Sequence, residues 1–290
     1  MLDIQSECRG LIAHGVSACA GCGLEIGARY IVNTIGDRST LVIPPGCAAL
    51  FSGYGTETVT KIPGFQGNLE NTAAYAAGIK AGYEVQGKDV TVLGMAGDGA
   101  TVDIGLQSLS GALERGDKIL YICYDNEAYM NTGIQGSAST PTNAWTTTTP
   151  AGKQGYRKDL GRIVAAHRIP YLATASVGYV DDFKKKLLKA QEATKTGPAF
   201  IHLHAPCPTG WRSRPDKTVE IARLAVTTRC WPLYEVVDGE VSLTKKVDKP
   251  KPLQDYFKLQ GRFKGVSDEQ AEAMIEDINA SYDRIVEGRL

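Results

Sequence analysis

Apolar residues in this chain gather into short unbroken runs rather than alternating with polar ones. Residues 90–96 (Val-Thr-Val-Leu-Gly-Met-Ala), 119–125 (Ile-Leu-Tyr-Ile-Cys-Tyr-Asp), 171–176 and 199–205 are such runs. Runs of this length bounded by turns predict strands buried on both faces, as in a parallel sheet. Residues 40–44 predict another strand, leading into Pro45-Gly46-Cys47. Helical stretches are predicted over 24–35, 68–83 (with an Ala-rich face), 102–114, 157–166 and 181–194; the lysine run in the last reads as a solvated face. Strands alternating with helices predict an α/β fold, a parallel open sheet flanked by helices, over residues 1–214. Residues 215–290 change character. A hairpin around Asp238-Gly239 is predicted over 231–244, then a basic connector over 245–252. A charged C-terminal helical extension follows, with Val266-Ser267-Asp268-Glu269-Gln270 as a helix start. This extension is expected to serve packing or subunit contacts. Residues 51–67 read as a Gly-rich, aromatic loop, and 130–153 as a long Thr/Ser/Pro/Gly-rich loop. A loop of that length inside a compact domain points to function.

Composition narrows the classes. The 290 residues carry 32 basic and 32 acidic side chains, a balance that gives nucleic acid no electrostatic foothold. No apolar stretch reaches the roughly 18 residues of a membrane span, and residues 1–9 show no secretory pattern. A cytoplasmic protein without membrane association is expected. The seven cysteines are then ligands or free thiols rather than disulfides.

The chemistry begins at Gly97-Asp98-Gly99, which closes one apolar run, and Asn126, which closes the next, 28 residues beyond Asp98. In a strand–helix–strand unit both residues emerge side by side at the carboxyl ends of adjacent strands, where open α/β sheets bind ligands. A carboxylate and an amide oxygen suit Mg²⁺, which commonly brings a phosphate, and the glycines allow close approach of the backbone. Gly-Asp-Gly alone is equally a strand-ending turn, and Asn126 alone a helix cap. The spacing resembles the thiamine-diphosphate-binding motif. That resemblance implies Mg²⁺ ligation by the Asp98 and Asn126 side chains and the Ala128 carbonyl.

Cys19-Ala20-Gly21-Cys22 is a Cys-x-x-Cys pair; Cys47 follows a strand, and so does Cys207, between Pro206 and Pro208. On spacing alone the pair is a redox dithiol, half of a zinc site, or part of a tetrathiolate site completed by Cys47 and Cys207. Cys123 lies inside a strand and reads as core; Cys8 and Cys230 read as free thiols.

Taken together, Cys19-Ala20-Gly21-Cys22-Gly23, Pro45-Gly46-Cys47, Gly97-Asp98-Gly99, residues 124–133 (Tyr-Asp-Asn-Glu-Ala-Tyr-Met-Asn-Thr-Gly), Ala138-Ser139-Thr140-Pro141 and Ala205-Pro206-Cys207 resemble one family. It is the 2-oxoacid:ferredoxin oxidoreductases, through their thiamine-diphosphate- and 4Fe-4S-binding β subunit, as in pyruvate synthase and oxalate oxidoreductase. The resemblance implies a thiamine-diphosphate-binding fold and oxidative decarboxylation with ferredoxin as acceptor. It implies Cys19, Cys22, Cys47 and Cys207 as ligands of a 4Fe-4S cluster, and Asn131 beside the reactive carbon of the cofactor. Gly46, Cys47, Gly97, Asp98, Gly99, Asn126, Ala128, Asn131 and Thr132 are the implied cofactor-binding residues. The glutamate that contacts the aminopyrimidine lies outside the match. An α subunit is therefore expected to carry it, with a ferredoxin-like subunit or domain taking electrons onward and the isolated chain inactive. A non-catalytic zinc or electron-transfer module leaves Asp98 and Asn126 without a task. A non-oxidative thiamine enzyme leaves the four cysteines without one.

Asn143 departs from the family pattern, where a small residue is expected after Thr-Pro. An amide there suits the second carboxylate of oxalate, so Asn143 is read as a substrate-selecting residue and oxalate as the favoured substrate. The alternatives are pyruvate with coenzyme A, and an Asn143 that only shapes the loop. His202 and His204 share a strand face and read as a buried, hydrogen-bonded pair. His14 reads as a donor to a cluster sulfur, Trp145 as a cover for the cofactor and Trp211 as a shield for the cluster, the last two equally as packing anchors.

Overall fold

The computed structural model describes residues 10–52 and 58–290. Cys8, expected to be a free thiol, and residues 53–57 of the Gly-rich loop lie outside the described residues.

The helices are α1 Gly23–Ile35, α2 Ala49–Ser52, α3 Thr72–Val85, α4 Leu106–Glu114, α5 Leu160–Ala165, α6 Val180–Ala193, α7 Pro208–Trp211, α8 Thr218–Thr227, α9 Leu253–Phe257 and α10 Asp268–Val286. The strands are β1 Ser39–Ile43, β2 Gly64–Gln66, β3 Thr91–Gly97, β4 Leu120–Asp125, β5 Tyr171–Ser176, β6 Ala199–His204, β7 Leu233–Val237 and β8 Glu240–Lys245. They form one sheet in the order β2-β1-β3-β4-β6-β5-β7-β8. Pairing is parallel from β2 to β5 and antiparallel where the β7–β8 hairpin joins β5.

The unbroken apolar runs have the meaning expected of them. Every residue of β1, β4 and β5 is buried, because helices cover both faces. Leu41, Ile43, Leu120 and Ile122 enter the core beneath α1 and α6; Val42, Tyr121 and Cys123 enter the opposite core beneath α3 and α4. A third core gathers Trp211, Ile221, Trp231, Tyr256 and Phe263 under the C-terminal extension. Ser267 and Gln270 cap α10 reciprocally, as that helix start predicted.

Four expectations need correction. The segment 51–67 contributes the edge strand β2, whose three residues are too few to show periodicity. Helix α8 lies where no element was expected; its apolar face is buried in the third core. The lysine run is not all solvated: Lys186 is buried, and its ammonium bonds Asp182 Oδ2 (2.6 Å), Thr174 O (2.8 Å) and Thr244 Oγ1 (2.7 Å). The predicted helix over 102–114 begins as a wider π turn, Gly99–Asp103, directly after Asp98.

Strand order sets the site. Because β1, β3, β4 and β6 are consecutive neighbours, their carboxyl-end loops lie side by side, carrying Gly46 and Cys47, Asp98, Asn126 and Cys207 respectively. Ligands of open α/β sheets bind at such an edge.

Candidate functional site

The β3–β4 register pairs Gly97 with Tyr124, so Asp98 and Asp125 leave the sheet together, with Asn126 one residue on. Asp98 is fully buried, and Ser137 Oγ donates to its Oδ2 at 2.5 Å. Burial, and then the Asp125 carboxylate, raise Asp98 well above the ordinary carboxylate range, against the Ser137 bond, which lowers it. Such a group is in want of positive charge.

The amide end of Asn126 stands 3.0 Å from Asp98 Oδ1 and 2.8 Å from the Ala128 carbonyl oxygen. With its nitrogen turned inward it donates to both. With its oxygen inward, that oxygen stands within 3.0 Å of both of the others. Mg²⁺ holds oxygens roughly 2.1 Å away in octahedral geometry, which sets neighbouring ligands about 3 Å apart. The donor set and its spacing fit that ion.

Glu127, between the two, has a left-handed backbone (φ 64°). Its amide donates to Asp125 Oδ1 (2.9 Å), and its carbonyl accepts from Thr140 Oγ1 (2.7 Å). Asp125 also holds His202 Nε2 at 2.7 Å. His202 and His204 do share a face, but they are not bonded to each other. His204 lies buried between Trp211 and Trp231, with neither ring nitrogen partnered among the described residues. Burial drives its pKa down to about 3. A cavity of about 640 Å³ reaches this side of β4, lined by Asp125, Arg157, His202, Trp231, Tyr256 and Ile285.

The cysteines occupy the neighbouring end of the edge. Cys22 is the N-cap of α1 and Cys207 that of α7; Gly210 N donates to Cys207 Sγ at 3.4 Å. Gly23 N donates to Pro206 O at 3.0 Å, tying the two turns together. A Cβ on Gly23 would come 2.7 Å from that same oxygen, and one on Gly21 (φ +71°) 2.2 Å from Pro215 O. Both glycines are required by close approach. Burial pushes the Cys47 thiol up to about 12, with Cys207, Cys22, Cys19 and Asp98 adding to it in that order. Burial raises Cys207 to about 11. The four thiols thus share one electrostatic neighbourhood that reaches Asp98. Among the described residues no group of three His, Cys, Asp or Glu side chains is drawn together tightly enough for a single metal ion. A polynuclear cluster instead needs thiolates set apart around its corners. Cys123 is buried core as expected, and Cys230 is a free thiol bonded by Thr228.

The remaining predicted residues divide. Gly46 and Cys47 lie beside Tyr124, whose hydroxyl accepts from Ala48 N at 3.2 Å. Gly99 O accepts from Tyr129 OH at 3.1 Å. Asn131 and Thr132 are exposed in the turn after β4, where Thr132 Oγ1 donates to Gln135. Asn143 lies farther along the loop, lining the cavity that Asp125 and Glu127 also line. Its Oδ1 faces Gln270 Nε2 of α10 at 3.3 Å, and its backbone is left-handed (φ 63°), a conformation that Gly or Asn adopts readily. The loop-shaping alternative accounts for it. His14 is exposed, and its carbonyl accepts from Arg29. Trp145 lies under the Arg212 guanidinium, 3.4 Å from its ring centroid.

The long loop is ordered by side-chain-to-backbone bonds in place of a ladder. Lys153 Nζ donates to three carbonyl oxygens, of Ser137 (3.1 Å), Ala138 (3.1 Å) and Thr140 (2.7 Å). Sequence reading gave no role to Ser137, Glu127, Lys153 or Arg262. Ser137 and Lys153 fall in a segment without periodicity, and Arg262 is 135 residues from Glu127.

Residues 44–203 match the family model of the thiamine pyrophosphate enzyme, C-terminal TPP binding domain. The chain is 48% identical over 284 residues to ketoisovalerate oxidoreductase subunit VorB of Pyrococcus abyssi, covering 93% of this chain and 91% of that one. It is 46% identical over 275 residues to pyruvate synthase subunit PorB of Methanothermobacter thermautotrophicus, covering 93% and 95%. It is 44% identical over 271 residues to NADH-dependent phenylglyoxylate dehydrogenase subunit beta of Aromatoleum evansii, covering 90% of this chain and 60% of that one. Its fold is similar to that of 2-oxoglutarate:ferredoxin oxidoreductase from Magnetococcus marinus, with TM-score 0.59 and 18% identity over 75% of this chain and 81% of that one. The three sequence relatives are named for ketoisovalerate, pyruvate and phenylglyoxylate. None of these three is named for oxalate, and the expectation of oxalate is not supported.

Proposed function

The chain belongs to the 2-oxoacid:ferredoxin oxidoreductase family as a thiamine-pyrophosphate-binding β subunit, and from that premise we propose that it forms the diphosphate half of a site oxidising a 2-oxo monocarboxylic acid such as pyruvate. It is an oxidoreductase subunit that works within a multi-subunit complex. Among the described residues no helix is long and apolar enough to cross a membrane.

One observation carries the reading: Asp98 Oδ1, the Asn126 amide and the Ala128 carbonyl meet at 2.8–3.0 Å on the sheet edge that also carries the four cysteines. In this reading Asp98, Asn126 and Ala128 hold Mg²⁺ and the diphosphate it brings. Gly46, Cys47, Gly97 and Gly99 line the approach, and Thr132 and Asn131 stand at the open end, Asn131 nearest the reacting carbon. Cys19, Cys22, Cys47 and Cys207 hold a 4Fe-4S cluster. Bound thiamine diphosphate supplies an electron sink for decarboxylation, and the cluster a one-electron acceptor beside it. The protein's own part is electrostatic. Positive charge at the triad would relieve the Asp98–Asp125 repulsion, and a cluster would replace the protons that burial otherwise keeps on Cys22, Cys47 and Cys207. The Ser137 hydroxyl holds Asp98 in register. Asn131 and Thr132 are exposed, which supports a site closed by an α subunit bearing the aminopyrimidine glutamate. A ferredoxin-like subunit or domain and ferredoxin would be the onward electron acceptors, coenzyme A would be the acyl acceptor, and residues 215–290 would provide subunit contacts. Cytoplasmic location belongs to the same reading.

The test is anaerobic purification of the complex, with iron and sulfide analysis, EPR after dithionite, and turnover with pyruvate, 3-methyl-2-oxobutanoate, 2-oxoglutarate and oxalate. Iron lost from Cys47→Ser and Cys207→Ser complexes, with coenzyme A-dependent turnover of a monocarboxylic 2-oxoacid, is the expected result. Zinc in place of iron, or no turnover of any 2-oxoacid, would overturn the reading.

A further inference from the structure

Glu127 separates two of the oxygens proposed for the cation, yet its carboxylate is committed elsewhere. It is 3% exposed, and its Oε2 faces Arg262 Nη2 at 2.5 Å as an ion pair; among the described residues neither atom has another hydrogen-bond partner. Arg157, more exposed, approaches Oε1 at 3.4 Å. Arg262 comes from the C-terminal extension, in the short turn Gly261–Phe263. Its Nε donates to Gln260 Oε1 (3.0 Å), and its guanidinium lies 3.7 Å from the Trp211 ring centroid. Trp211 Nε1 in turn donates to Asn126 O at 2.7 Å. The contacts close a circuit: Arg262 to Glu127, Glu127 to its chain neighbour Asn126, Asn126 to Trp211, and Trp211 back to Arg262.

The circuit encloses an unfavourable backbone. A left-handed conformation costs a non-glycine residue about 1–2 kcal/mol and persists only where its surroundings impose it. At Glu127 it lets the Asn126 amide and the Ala128 carbonyl approach to 2.8 Å, although a residue stands between them. A buried ion pair adds little stability compared with apolar packing; its best-attested use is to select one arrangement of the groups around it.

We propose that Arg262 is a positioning residue for the divalent cation. By pinning Glu127 in its left-handed conformation, it keeps the Asn126 and Ala128 oxygens trained on one point beside Asp98. The C-terminal extension is thereby part of the cofactor site. The inference rests on the cation triad proposed above.

The experiment uses the assembled complex, with Mn²⁺ as probe and thiamine diphosphate present. Bound Mn²⁺ is read by EPR, and iron is measured per chain. Groups that orient ligands from behind typically cost 10–100-fold in metal affinity when removed. Arg262→Gln is expected to raise the Mn²⁺ concentration at half-saturation about tenfold or more, with iron retained, and Arg262→Lys to recover part of the loss. A merely structural role would lower the fraction of sites filled at saturation and leave the midpoint in place. A wild-type midpoint in Arg262→Gln would overturn the proposal. If that variant does not assemble, Glu127→Gln removes the charge pair at nearly constant shape, and its midpoint decides in the same way. A wild-type complex without thiamine-diphosphate-dependent Mn²⁺ binding would overturn the triad itself, a result distinct from an unshifted variant in a complex that binds.

Discussion

The indole nitrogen of Trp211 donates a 2.7 Å hydrogen bond to the main-chain oxygen of Asn126. Residues 85 apart in sequence, after β6 and after β4, are joined by it. Replacing Trp211 by Phe keeps an aromatic ring and leaves that buried carbonyl unpartnered, a loss of about 1–3 kcal/mol. Hydrogen exchange of residues 125–129 in the assembled complex is expected to speed up accordingly. Unchanged protection would mean that the bond contributes nothing to holding this turn.

Gly23→Ala is expected to act on the thiols more than on the fold. Its Cβ would come 2.7 Å from Pro206 O, so α1 and the turn bearing Cys207 must separate. Overpacking of this kind costs about 1–3 kcal/mol. Iron per chain should fall while circular dichroism stays near wild type; full iron content would show that the approach is not needed.

Asn143→Gly should leave the choice between pyruvate and oxalate unchanged. Its φ of 63° suits glycine, and the 3.3 Å contact with Gln270 is exposed. The stability change is expected to stay within about 0.5 kcal/mol, whereas Asn143→Val should cost about 1–2 kcal/mol through the backbone alone. A shifted substrate ratio in the glycine variant would restore Asn143 to the substrate site.

His204 makes the sheet sensitive to acid. Its folded pKa, about 3, lies below the ordinary value of 6.5, so below pH 6.5 the unfolded chain binds the proton that the fold refuses. Stability is therefore fully present above that value and declines as pH falls towards 3, by about 1.4 kcal/mol per unit. Between about pH 6.5 and 5, opening of β6 measured by hydrogen exchange should become easier by roughly 2 kcal/mol. The non-titrating His204→Gln should lack that slope; an equal slope in both would assign the effect to other groups.

The covered sheet was legible because burial on both faces leaves unbroken apolar runs, and β5 falls on the residues predicted for it. The paired ends of β3 and β4 followed from the same runs, and with them Asp98 and Asn126. What escaped depends on distance in sequence. The role of Lys186 requires Thr244, 58 residues away, and that of Glu127 requires Arg262. Asn143 stayed open in the sequence because a left-handed backbone and a substrate contact both account for an Asn in a loop, and its contact with Gln270 is visible only in the fold.

The Lys153 ammonium, shared among three carbonyl oxygens, gives the long loop a counter-ion covalently its own. A loop tied by a diffusible cation would order and loosen with that ion's concentration. This one is fixed as soon as the chain folds. The entropy of ordering residues 137–153 is thus lost once, during folding, and is not charged again to each cofactor or substrate that arrives.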